Sequence, residues 1–73
     1  MNHNELVDLA RRLRDTQEQL GQVTHKLITL SSGEPGYEEK QRRLREERQG
    51  LKAREHQLDE ELERAIAELG YHP

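Results

Sequence analysis

Seventy-three residues allow one small domain at most, and 30% hydrophobic side chains, 37% charged ones and two aromatics, Tyr37 and Tyr71, are too lean for a globular core but ordinary for long two-faced helices. A chain this short needs a metal, disulfides, very regular helices or a partner subunit to bury enough surface. Cysteine is absent, four histidines without a thiol make a poor zinc set, and a net charge of −3 from 12 basic and 15 acidic residues sets up no global field toward nucleic acid or an anionic membrane.

In chain order, Asn2 with Glu5 three residues on has the pattern of a capping box that opens a helix. Leu6, Leu9, Leu13, Thr16, Leu20, Val23, Leu27 and Leu30 then recur at alternating spacings of three and four, the seam of a coiled coil. Only Thr16 is polar, and Val7, Ala10 and Ile28 flank the seam. Leu20 lies in mid-seam, where an aspartate is expected to bury an unpaired carboxylate and unfold the chain.

The segment Ser31–Ser32–Gly33–Glu34–Pro35–Gly36 is turn chemistry, with Glu34 pushed out of the helical region by the proline after it. A second helix follows. Its seam alternates Tyr37, Leu44, Leu51, Leu58 and Ala65 with Gln41, Arg48, Glu55, Leu62 and Leu69, so it is half polar until Leu58. Gly21 and Gly50 each cost about 1 kcal/mol against alanine, which leaves both helices dependent on packing. Gly70 and Pro73 supply a stop.

The expectation is an all-α, antiparallel two-helix hairpin of coiled-coil type that dimerises into a four-helix bundle. It forms one domain over residues 1–73, with a helix over about 3–31, a turn over 32–36 and a helix over about 37–69. Folding in register about the turn pairs Leu30 with Tyr37, Val23 with Leu44, Thr16 with Leu51 and Leu9 with Leu58. The alternate layers set Leu27 against Gln41, Leu20 against Arg48 and Leu13 against Glu55, and such mixed layers contribute little. That register is expected to leave Ala65, Ile66 and Leu69 overhanging the start of the first helix, as apolar surface without an internal partner.

Charge reverses sign along the second helix. Lys40 to Arg54 holds seven basic residues against two acidic ones, and Glu55 to Glu68 holds six acidic against one basic. The macrodipole favours the opposite order, and spacing-four pairs such as Glu38 with Arg42, Glu39 with Arg43 and Glu60 with Arg64 do not require segregation. A second copy of the helix lying antiparallel does favour it, with a two-fold near Arg54 and Glu55. The interface expected on that reading is Leu44, Leu51, Leu58, Leu62, Ala65, Ile66 and Leu69, oriented by Arg43, Arg45 and Arg48 against Glu60, Glu61 and Glu63. A solvated helix face is the plainer reading of the same charges.

No catalytic, cofactor or metal constellation is expected. His25 and His56 fall on outward positions, His3 and His72 are terminal, His56 with Asp59 and Glu60 makes only a weak metal set, and Ser31 and Ser32 have no base to activate them. The functional expectation is a small coiled-coil interaction or scaffold protein, not an enzyme, acting through self-association or a partner protein's helix. The alternative is an RNA- or DNA-binding regulator using Lys40, Arg42, Arg43, Arg45 and Lys52, although no aromatic interleaves these cations to stack a base. A third reading places the acids Glu34, Glu38 and Glu39 at work at the hairpin tip. Without a leader or an apolar run of membrane length, a soluble cytoplasmic chain making no membrane contact is expected.

Overall fold

A computed structural model describes residues 2–70, and Tyr71, His72 and Pro73, the last of them part of the expected helix stop, lie outside the described residues. Helix α1 spans His3–Thr29 and helix α2 spans Tyr37–Glu68. No strand occurs among the described residues. The two helices pack along one another as a hairpin with extents of 54 × 20 × 14 Å.

Local chemistry accounts for each boundary. At the start of α1 the Glu5 N–H donates to Asn2 Oδ1 at 2.9 Å and the Asn2 N–H donates to Glu5 Oε2 at 3.3 Å, so two otherwise orphaned donors are satisfied reciprocally. The helix ends at Thr29, two residues short of the expected boundary, because Leu30 turns extended with ψ 124° and Ser31 takes over the local hydrogen bonding. The Ser31 carbonyl accepts from the Glu34 N–H at 3.1 Å, and its hydroxyl oxygen accepts from the Gly33 N–H at 3.4 Å.

Gly36 then adopts φ 72°, a left-handed conformation in which any Cβ is strained, and opens α2. With no side chain to cap the helix at that position, Glu38 and Glu39 in the first turn offset the positive end of the dipole. At the far end Gly70, at φ 77°, terminates α2, with the Leu69 N–H donating to Ala65 O and the Gly70 N–H to Ala67 O, both at 3.1 Å.

Burial is uneven across the seam. The buried positions are Leu9, Thr16 and Val23 on α1 and Leu58 and Ala65 on α2, which belong to one column of the heptad on each helix. Thr16 tolerates burial because its hydroxyl donates to Arg12 O at 2.9 Å within its own helix. The other column of α1, Leu6, Leu13, Leu20 and Leu27, is only half-buried. Of the four residues opposite it on α2, Arg48 and Glu55 carry charged heads that must reach water, while the Gln41 amide donates to the Tyr37 hydroxyl at 3.2 Å, so these layers stay partly open.

Ala65 corrects the expected overhang. It is 1% exposed and clusters with Leu9 and Leu58, with Leu6, Leu13 and Leu62 packed around them. The capping box carries α1 back to His3, which gives the last turns of α2 a surface to lie on. Between the two helix ends runs a groove lined by Asn2, Glu5, Asp8, Glu61, Arg64 and Glu68. Ile66 is half-buried and Leu69 remains 36% exposed.

The burial pattern places Val23, 3% exposed, deeper in the seam than Leu20, which is half-buried. Val23→Asp is expected to abolish helical circular dichroism at about 25 °C, because its carboxylate has no route to water, whereas Leu20→Asp should cost on the order of 1–3 kcal/mol. Equal loss in the two variants would contradict the uneven seam. At the turn, Gly36→Ala should cost about 1–2 kcal/mol in urea denaturation. Gly33→Ala should change little, since an added Cβ there meets Ser31 Oγ at an ordinary 3.9 Å.

Candidate interaction surface

The surface that remains follows from the geometry of an antiparallel pair. When two helices run in opposite directions, the same heptad column of each lies on the same side of the hairpin. One side of this hairpin carries the closed layers of Leu9, Val23, Leu58 and Ala65. The other carries the half-buried Leu6, Leu13, Leu20 and Leu27 of α1 beside Gln41, Arg48, Glu55 and Leu62 of α2. On α1 this open side continues outward through Ala10, Gln17 and Thr24 to Val7 and Ile28, which are 42% and 77% exposed. Arg14 is the one charged residue along that border of α1.

The interface expected from sequence is therefore divided by the fold. Leu58 and Ala65 are sealed inside the hairpin, and Leu44 and Leu51 are half-buried in the same column against α1. Of these four, only Leu44 and Leu51 keep surface that a second copy could reach. Leu62, Ile66 and Leu69 retain accessible surface and lie on the open side with the leucines of α1. The leucine column of α1 was readable in the sequence only as half of a seam. The signal for its second use was the set of polar residues facing it in the alternate layers.

The charged residues divide as well. Glu39 Oε1 accepts from both Arg43 at 3.1 Å and Arg42 at 3.4 Å, so Arg42 pairs with Glu39 rather than with the expected Glu38. Lys40 reaches back across the turn to Glu34 at 3.3 Å. Three of the five cations assigned to nucleic-acid binding thus have carboxylate neighbours, and Glu34 and Glu39 of the tip are tied to cations. These pairs are exposed and individually weak.

Arg45 and Lys52 make no ion pair among the described residues, and they line a shallow notch together with Arg48 and Gln49. Arg48 is half-buried, and its Nε is buried without a hydrogen-bond partner. Glu55, one heptad on, is likewise half-buried and outside every ion pair among the described residues. In the acidic half, Glu60 lies 3.1 Å from His56 Nε2 and 3.9 Å from Arg64, Glu61 accepts from Gln57 at 3.5 Å, and Glu63 is exposed.

Among the described residues no group of three metal-ligating side chains gathers, and neither helix is long and apolar enough to cross a membrane. Comparison with protein-family models, with curated proteins and with solved structures finds no match to this chain.

The two fates of the C-terminal residues can be separated by mutation. Truncation after Arg64 should destabilise the hairpin itself, because it removes Ala65 from the cluster with Leu9 and Leu58. The pair Ile66→Ser and Leu69→Ser should leave the urea midpoint within about 1 kcal/mol of the parent while lowering any self-association measured by sedimentation. A double variant that unfolds as readily as the truncation would place both side chains in the intramolecular core.

Proposed function

We propose that the chain is a small helical interaction or scaffold protein that works by self-association through the open side of its hairpin. The observation that carries this reading is surface area. A compact monomer of 8.6 kDa is expected to expose roughly 4,700 Å², and the hairpin exposes 5850 Å². The excess of about 1,100 Å² is that of a rod of 54 × 20 × 14 Å, too thin to enclose a core of its own along its whole length. Half-buried leucines at heptad spacing supply the apolar part of that surface, and apolar contact is what makes association favourable. A pair of hairpins sharing the open side forms a four-helix arrangement, the simplest way for two-helix units to close a core.

A second reading is supported by the notch of Arg45, Arg48, Gln49 and Lys52, where three cations gather without a carboxylate neighbour in the lining. On that reading the basic half of α2 binds a nucleic-acid backbone. Sedimentation equilibrium over a concentration series, paired with anisotropy of labelled RNA and DNA at about 50 mM and 500 mM salt, separates the two. Self-association predicts a transition to twice the chain mass that survives the higher salt. Phosphate binding predicts an anisotropy change that falls steeply between the two salts. A fully helical chain that keeps its single-chain mass at every concentration would defeat the self-association reading.

A further inference from the structure

We infer that the partner on the open side is a second copy of the hairpin, running antiparallel with the two tips at opposite ends, and that Arg48 of each copy stands against Glu55 of the other. This rests on the self-association reading and specifies its surface and register.

Two lone groups start the argument. Arg48 and Glu55 sit in the seam at half-burial, each facing a leucine of α1, and neither has a charged partner in its own chain among the described residues. Being on one helix a heptad apart, they point along the same face about 10 Å from one another, too far to pair directly. A two-fold axis crossing α2 beside Lys52 brings each against the other's counterpart. The same axis sets Arg45 against Asp59 and Arg42 against Glu63, so the sign reversal of α2 becomes complementarity at these positions of its outer edge.

The first helix answers to the same axis without any further choice. With Leu9 packed near Leu58 in the core, the level of Lys52 on α2 falls within a helical turn of Gln17 on α1. An axis at Gln17 pairs Leu13 with Leu20 and Leu6 with Leu27 across the two copies, and it lays Val7 of each copy beside Ile28 of the other, the two most exposed apolar side chains of α1. Apolar columns and charge order, on different helices, thus select one register. The like-charge approach in this arrangement is Lys52 against its own copy, which its exposed head escapes into water.

Tips at one end is the competing arrangement, with the copies related by an axis along the bundle and α1 of each lying on α2 of the other. It gives Arg48 and Glu55 no opposite charge on the facing helix and sets two Arg48 or two Glu55 at one level across the diagonal of a partly buried layer. The axis near Arg54 and Glu55 considered from sequence is displaced because Leu58 and Ala65, on which it relies, are already enclosed by α1.

The absence of cysteine makes the test direct. Gln17→Cys and Ser32→Cys, both at exposed positions, are each treated with a short thiol-to-thiol cross-linker after helicity is checked. Gln17→Cys should give covalent dimer in high yield. Ser32→Cys should give none, because the tips lie at opposite ends of an assembly at least as long as the 54 Å hairpin. In parallel, Arg48→Glu and Glu55→Arg should each weaken the homodimer roughly tenfold, and an equimolar mixture of the two should recover parent affinity as a heterodimer. Cross-linking through Ser32→Cys but not Gln17→Cys, or a dimer by sedimentation that neither variant cross-links, overturns this register while leaving self-association standing. A parent chain that stays monomeric overturns both.

Discussion

The opposition of leucine on α1 to glutamine, arginine and glutamate on α2 governs the rest of this structure. Two helices make two columns of contact, and the fully buried residues, Leu9, Thr16, Val23, Leu58 and Ala65, all lie in one of them. The other has none, because Arg48 and Glu55 cannot be enclosed without losing water from their charged ends. From that single asymmetry follow the half-buried leucine column, the large exposed area and the surface assigned here to a second copy.

A hairpin so lightly sealed relies on its ends. The Asn2–Glu5 box holds the first turn of α1 in place, and that turn is what covers Ala65 in the closing turns of α2. Gly36 commits the chain to the direction change at the other end. The surface ion pairs add little by comparison, since Asp8–Arg12 at 3.0 Å, Glu39–Arg43 and Lys40–Glu34 all join exposed groups in water. Charge in this molecule therefore has small influence on whether the hairpin forms. In the proposed dimer its larger influence would be on how two hairpins are oriented, where opposed signs penalise wrong registers.

Thr16 illustrates how a polar residue differs from a charged one at the same kind of position. Its short hydroxyl finds the Arg12 carbonyl in its own helix, so it is buried at little cost. Arg48 has no such internal solution, since its Nε is buried and unpartnered.

The sequence by itself determined the helices, the cap, the turn and the hairpin, because each rests on interactions within about four residues: Asn2 with Glu5, Pro35 before Gly36, and apolar repeats at helical spacing. It also disclosed the mixed layers, since register about a short turn is arithmetic. Three matters were decided only in the tertiary structure. Ala65 became core by packing with Leu9 and Leu58, Arg42 turned to Glu39 rather than Glu38, and one heptad column took all the fully buried positions while its twin took none. Periodicity gives the two columns equal standing. Only packing two helices together reveals which one the polar side chains of the opposite helix hold apart.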